Sequence, residues 1–291
     1  MAAFFHDVSM FAFLRYALLT GLLAAIACGV VGSYITVRRI STIAGAIAHS
    51  TLAGMGAARY LERSMGLTFL TPMHGAVAAA LLAAVIIALV TLYGKERADT
   101  VLSAVWSIGM ALGILFIART PGYNEDLMSY LFGNILMVSP RELWSMGALD
   151  LVIIGFSLLF YRQLEAVCFD EEFARLRGLR VELYYILLLC LTALTVVTLV
   201  QVVGIVMVIA LLALPAAAAG YLTRQLWQMM LVAVLFNLFC MTGGLALSYQ
   251  PDLPAGATII ILAGILYLLV LAVRRLRGRK KRLSVKSPAP R

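Results

Sequence analysis

Residues 75–93 read GAVAAALLAAVIIALVTLY, nineteen consecutive residues without a charged side chain. A helix that crosses the hydrocarbon core of a bilayer needs about 20 predominantly apolar residues. A strand or a soluble-core helix needs far fewer, so this stretch predicts a transmembrane helix.

Comparable apolar runs repeat along nearly the whole chain. They lie at 12–37, 42–61, 74–94, 100–118, 142–161, 182–201, 204–222, 227–248 and 256–273. A shorter stretch at 127–138 is too brief to cross a bilayer and predicts a re-entrant helix. The chain is 63% apolar and 13% charged, whereas soluble domains are about half apolar and a quarter charged. The sequence therefore predicts an all-α integral membrane protein, with about nine transmembrane helices in a single domain over residues 1–291.

The basic residues are unevenly distributed. The nine basic residues of the tail 274–291 account for the whole net charge of +9. A basic segment directly after an apolar helix is typical of a cytoplasmic flank, so we expect membrane lipid as its partner and no nucleic acid. With the N-terminus outside and nine crossings, eighteen of the 23 basic residues lie on the inner side. The positive-inside rule therefore predicts an internal C-terminus.

Common catalytic motifs are missing from the sequence. It contains no GxxxxGK[ST] loop for nucleotide phosphates, no HExxH and no GxSxG. We therefore expect a protein that is not itself an enzyme and that holds no permanent cofactor.

One inner loop is unusually polar. Residues 168–179 read CFDEEFARLRGL, with acidic residues first, basic residues next and a glycine near the end. This order is typical of a short helix whose charges complement its dipole. A solvated connector explains the polarity as well, but Phe169 and Phe173 lie four residues apart and form an aromatic stripe that favours a partner surface.

The motif Glu172-x-Ala174-x-x-x-Gly178, after five spans and before four more, resembles the coupling helix of ABC importer permeases. The chain as a whole resembles the ABC-3 type permeases for zinc, manganese and iron. The resemblance covers about residues 12–273 and rests on the stretches 32–33, 38–41, 48–50, 126–136, 203–204, 212–217, 243–245 and 252–256.

The resemblance implies an ABC importer permease fold in a prokaryotic cytoplasmic membrane. It also implies a homodimer, an ATP-binding subunit on the cytoplasmic side and an extracytoplasmic metal-binding protein, with ATP held by the partner. The residues that it assigns to ATPase coupling are Asp170, Glu171, Glu172, Phe173, Ala174 and Gly178.

In the ABC-3 family an Asp-x-x-x-His pair on the second helix is thought to meet the metal. Here His49 is present, but the position four residues earlier is Gly45. A histidine within a span is a candidate functional residue. The alternative is a structural role, in which the imidazole only forms a hydrogen bond to a neighbouring helix. Asp150 lies in the middle of another span and is either a replacement ligand or a structural aspartate.

Four further residues are candidates on weaker grounds. Glu125 and Asp126 precede the re-entrant segment, where they could attract a cation to the outer mouth or form an ordinary exposed pair. Pro215 removes a backbone hydrogen bond within its helix, so with Gly204 it predicts a packing kink or a hinge.

The sequence therefore predicts the permease of an ATP-driven importer for a divalent transition metal. We expect zinc to be the preferred ion and manganese or iron to be second. Without a carboxylate at position 45 the candidate ligands shift toward imidazole, which suits zinc better than manganese. The alternatives are a permease for a metal chelate such as a siderophore and a stand-alone secondary ion transporter that uses His49 and Asp150.

Overall fold

The computed structural model describes residues 7–8, 10–67, 69–94, 97–121, 133, 135, 138–249, 251 and 253–285, without the side chains of 201–202, 206 and 277–285. Glu125, Asp126 and most of the predicted re-entrant segment 127–138 lie outside these residues.

The described chain is helical, with no strand among the described residues. Its helices are α1 (Ala12–Arg38), α2 (Ser41–Met65), α3 (Pro72–Tyr93), α4 (Ala98–Arg119), α5 (Pro140–Leu159), α6 (Tyr161–Phe169), α7 (Glu171–Leu176), α8 (Val181–Val203), α9 (Val208–Leu222), α10 (Leu226–Tyr249) and α11 (Ala255–Val285).

Each of the nine apolar runs coincides with one of these helices. Seven helices in the described part are long and apolar enough to cross a membrane. The other two are α9, which has only 15 residues, and α2, which is long enough but carries His49, Arg59, Glu62 and Arg63. The predicted count of nine crossings is therefore not confirmed, whereas the all-helical membrane architecture is.

Two stretches differ from the prediction. The chain turns at Phe160 (φ −105°, ψ 22°) and continues as the separate helix α6, where we predicted only a loop. At the other end, α11 continues through the basic segment to Val285 instead of ending near 273.

The helices pack in two groups around α8. On one side α2 lies against both α3 and α4, and on the other α1 packs against α9 and α10, with α11 behind them. Helix α8 contacts α1, α2, α3 and α5, so it joins the two groups. Helix α2, which carries His49, Arg59, Glu62 and Arg63, is thereby packed against apolar neighbours.

Glycines permit the close crossings of α2. A Cβ atom built on Gly54 would lie 2.0 Å from the carbonyl oxygen of Gly75 in α3. On α4, Cβ atoms at Gly109 and Gly113 would each lie 2.6 Å from backbone atoms of Ser50 and Leu52. The GxxxG motif of α4 therefore brings its backbone against α2 close to His49, as small residues do in membrane interfaces.

We expect Gly54→Ala to destabilise the protein by about 1–3 kcal/mol, because the added methyl group meets backbone atoms that cannot move aside without separating α2 from α3. Gly155→Ala in α5 is the matched control. No atom lies within 4 Å of a Cβ there, so alanine should be neutral or stabilising by up to about 1 kcal/mol. Thermal unfolding in detergent measures both, and equal midpoints for the two variants would contradict the close crossing.

Candidate metal path and coupling surface

His49 is buried in the middle of α2, with 8% of its surface exposed. Its ring stacks on Trp106 of α4, with 4.1 Å between the ring centroids and 15° between the planes. The buried Nδ1 atom has no hydrogen-bond partner in the described part of the chain. Because buried polar atoms are usually paired, this unpaired ring nitrogen is a candidate ligand atom.

The position that holds an acid in the ABC-3 resemblance is filled by neighbours. A Cβ atom at Gly45 would lie 2.5 Å from Cδ1 of Ile209 and 3.6 Å from Cζ3 of Trp106. Two apolar side chains thus occupy the space beside His49, and a larger residue at position 45 would require the Ile209 side chain to move.

Asp150 occupies a different interface. It is 2% exposed on α5, and neither carboxylate oxygen has a hydrogen-bond partner among the described residues. The Cys28 thiol of α1 lies nearby, α1 and α5 pack against each other, and two helix turns further along α5 the Tyr34 hydroxyl donates to the carbonyl oxygen of Ser157 at 3.4 Å. The structure therefore places Asp150 between α5 and α1, whereas His49 lies between α2 and α4, and it does not bring the two together.

The described residues contain no group of three or more His, Cys, Asp or Glu side chains that could hold a metal ion. A complete metal shell is thus not formed by one copy of this part of the chain. Its candidate ligands are His49 and Asp150, each buried and each with an unpaired polar atom.

The coupling segment folds as predicted into a short helix, α7. The Asp170 carboxylate accepts a hydrogen bond from the Phe173 backbone N–H at 3.0 Å and so caps its first turn. At its end the Gly178 backbone has φ 78°, and the Leu179 N–H donates to the Ala174 carbonyl at 3.1 Å. This left-handed glycine stop is the expected C-terminal signal.

Other residues of the segment attach α7 to the membrane helices. Ala174 is completely buried against Val167 of α6 and Val181 of α8, and Glu171 forms an ion pair with Arg38 at the end of α1. Ala174 and Glu171 therefore position the helix and do not face outward.

The outward face of α7 carries apolar, acidic and basic side chains, with Arg175 and Arg177 exposed and the Arg177 guanidinium 4.5 Å from the centre of the Phe173 ring. Phe169 is 64% exposed, Phe173 48% and Leu176 86%, and Asp170 and Glu172 are exposed beside them. We call Phe169, Phe173, Leu176 and Glu172 the coupling surface. Exposed aromatic and leucine side chains outside the spanning helices are typical of a surface that another protein covers.

The two predicted hinge residues lie in and before α9. Gly204 ends α8 with φ 79° and ψ 166°, a backbone conformation that side chains other than glycine rarely adopt. Pro215 lies inside α9 and is buried. The break between α8 and α9 therefore depends on glycine.

Sequence reasoning missed the neighbours of His49. Trp106 and Ile209 come from helices α4 and α9, and neither had been singled out. One signal was present, since Trp106 lies on the same face of α4 as Gly109 and Gly113, three and seven residues further on.

Comparison with known proteins agrees with the resemblance. The profile of a family described as "ABC 3 transport family" matches residues 10–274. A protein of Chlamydia pneumoniae named "Probable metal transport system membrane protein" is 38% identical over 94% of this chain and 90% of its own length. The manganese transport system membrane protein MntC of Halalkalibacterium halodurans is 33% identical over 91% of this chain and 89% of its own.

A solved structure shares the fold. It is PsaBC from Streptococcus pneumoniae in complex with Fab, which is 32% identical and superposes with a TM-score of 0.82. The match covers 92% of this chain and 94% of the other.

Proposed function

Because this chain belongs to the ABC 3 transport family, we propose that it is the membrane permease of an ATP-driven importer for divalent transition-metal ions. The observation that carries the proposal is His49. Within the described residues, its buried imidazole has a nitrogen with no hydrogen-bond partner, and its helix α2 is the one long helix that falls outside the seven apolar spans. The chain breaks no bond itself, and ATP is hydrolysed by a separate subunit.

Manganese is the ion to test first and zinc second. MntC of Halalkalibacterium halodurans and the permease ScaB of Streptococcus parasanguinis are named for manganese, and they are 33% and 30% identical to this chain. The imidazole-rich site that Gly45 implies favours zinc over manganese. A carboxylate supplied by Asp150 would reverse that preference, since carboxylate ligands suit manganese.

We propose that two copies of the chain face each other and that each supplies a His49 to one path. A two-fold axis doubles the ligands of an incomplete site, which is a common use of symmetry in dimers. This arrangement is consistent with the absence of a complete metal shell among the described residues of one copy.

The proposed partners follow from the surfaces at the two ends of the bundle. The coupling surface would receive the ATP-binding subunit on the cytoplasmic side, and an extracytoplasmic metal-binding protein would deliver the ion. The distribution of basic residues supports the matching orientation in the bacterial cytoplasmic membrane, with the N-terminus outside. Glu125 and Asp126 remain candidates for the outer mouth.

Uptake of radioactive manganese is the direct test. Cells without their own manganese importers, expressing this chain with its cognate ATPase and metal-binding protein, should accumulate the ion well above cells that lack only this chain. Unlabelled zinc added in excess should compete less strongly than unlabelled manganese. Equal accumulation with and without the chain would contradict the proposal, and stronger competition by zinc would reverse the order of the two ions.

A further inference from the structure

A polar groove runs along the inner half of α4, below His49. It has a volume of about 320 Å³ and is lined by Thr42, Asp99, Leu102, Ser103, Trp106 and Ser107. Asp99, Ser103 and Ser107 are four residues apart, so they form one stripe on the helix.

This stripe contrasts with the neighbouring face of the same helix. Val101, Val105, Ile108 and Leu112 line an apolar cavity of about 570 Å³ between α4, α3 and α2. That face suits lipid or an apolar neighbour. A carboxylate and two hydroxyl groups in hydrocarbon would be unfavourable, so the stripe needs water or another polar surface.

The upper end of the groove is closed by Trp106. Its indole ring stacks on the His49 imidazole, while 38% of its surface stays exposed and lines the groove. One side chain thus separates the candidate metal ligand from the polar stripe. Seven residues of helix, or about 10 Å along the axis, lie between Trp106 and Asp99.

The hydroxyl groups are arranged to accept a cation. The Ser103 hydroxyl donates its proton to the backbone carbonyl oxygen of Asp99 at 2.8 Å. Its remaining lone pairs are free to point into the groove, toward the same space as the Asp99 side chain. Carboxylate and hydroxyl oxygens are ligands that hard divalent ions such as manganese accept.

We propose that this groove is the cytoplasmic exit of the metal path, with Asp99 as the carboxylate that receives the divalent cation after His49. Trp106 is the plug between them, and its indole must leave the His49 ring for the ion to pass. This inference rests on the proposed function and on the orientation that places α4 with Asp99 at the inner side.

Thiol labelling tests the groove without any transport. Ser103→Cys and Ser107→Cys should react with a membrane-impermeant maleimide added to inverted vesicles, at least about tenfold faster than Ala104→Cys, because only a hydrated thiol ionises. Ala104 is the matched control, since it is exposed on α4 but lines the apolar cavity.

The native thiols give a low background in this experiment. Cys28, Cys168 and Cys240 are buried, and burial raises the pKa of the Cys168 thiol to about 12. Cys190, which is partly buried, is replaced by serine in all samples. Equal reactivity at Ser103→Cys and Ala104→Cys, or labelling only from the outside, would overturn the proposed exit.

Uptake measurements test the role of Asp99. Asp99→Asn should lower the rate of manganese uptake about tenfold, the effect of one lost charge at an ion site, and Asp99→Glu should restore most of it. Glu165→Gln is the control, because it removes a charge from α6 and an amide can still accept the Tyr161 hydrogen bond of 3.2 Å.

Asp99 also lies in the first turn of α4, where an acid stabilises a helix through its dipole. A purely structural role predicts a lower unfolding temperature in Asp99→Asn with uptake per folded molecule unchanged, and that result would overturn the proposal. If wild-type protein transports manganese and Asp99→Asn does so equally well, the exit proposal fails and the proposed function stands. If wild-type protein does not transport, the proposed function fails, while the labelling pattern still decides whether the groove is open to the cytoplasm.

Discussion

Replacing His49 by alanine is expected to lower manganese uptake by about two orders of magnitude at equal amounts of folded protein. His49 supplies a buried nitrogen with no hydrogen-bond partner in the described part of the chain, so its removal leaves the middle of the path without an imidazole. Loss of a residue that only supports a metal ligand commonly costs 10- to 100-fold in metal affinity or activity, and loss of the ligand itself is expected to cost at least as much. Two copies in a dimer would lose two ligands at once.

The control must separate the lost nitrogen from the lost packing. His49→Ala also removes the stacking on Trp106, so His49→Phe, which keeps an aromatic ring and has no ligand atom, should be just as inactive. Trp106→Phe, which keeps the ring beside His49, should retain most of the uptake. Normal transport by His49→Phe would show that the histidine is a packing residue.

The same uptake series decides the role of Asp150. If its carboxylate serves the path, Asp150→Asn should lower uptake, and Gly45→Asp should partly restore it. A Cβ atom at position 45 would lie 2.5 Å from Cδ1 of Ile209, so the Ile209 side chain has to move aside to admit an aspartate. The rescue is therefore expected to be more complete together with Ile209→Ala, and normal uptake by Asp150→Asn would exclude the compensation.

The helices were predictable because run length and hydropathy alone decide them in a bilayer. The run predicted at 227–248 is the helix Leu226–Tyr249, and the run at 100–118 is Ala98–Arg119. By contrast, α6 has the sequence YRQLEAVCF, whose mixture of polar and apolar residues is also typical of a connector. A nine-residue amphipathic helix forms there because Leu164 and Val167 find a buried surface, which a local pattern does not reveal.

The candidate site was predictable only in part. His49 stands out because a histidine is rare in a span, and Gly109 and Gly113 indicate a close helix crossing. Which helix crosses there is a tertiary property, so the contact between His49 and Trp106, 57 residues apart, could not be derived. The choice between a replacement ligand and a structural aspartate at Asp150 depended on the same missing information.

The coupling segment was the most predictable functional element, since the signals that form it are local. Asp170 caps α7, and Gly178 ends it. Its attachment, however, depends on distant residues such as Arg38, which pairs with Glu171, and Val181, which covers Ala174. The structure thereby divides the six predicted coupling residues into those that hold the helix and those that are exposed.

That division leads to a prediction for assembly with the ATP-binding subunit. The double variant Phe173→Ala, Leu176→Ala should abolish co-purification of that subunit, because a few large anchors at the centre of an interface carry most of the binding energy, about 2 kcal/mol or more each, and the two changes remove most of the exposed apolar surface of α7. Leu183→Ala is the matched control, since Leu183 is 52% exposed on α8 and lies outside the coupling surface. Both variants should reach the membrane in normal amounts.

A second pair of variants tests the charge and the support of the same helix. Glu172→Ala with Gly178→Ala should also uncouple ATP hydrolysis from transport, because Glu172 is an exposed charge of the coupling surface and alanine at φ 78° costs about 1–2 kcal/mol. Ala174→Leu should have the same effect without touching the coupling surface, since a larger side chain cannot fit against Val167 and Val181.

If the ATPase still co-purifies with the Phe173, Leu176 variant and metal-stimulated hydrolysis is unchanged, the segment is a solvated connector. The ATP-binding subunit would then have to dock elsewhere on the cytoplasmic face.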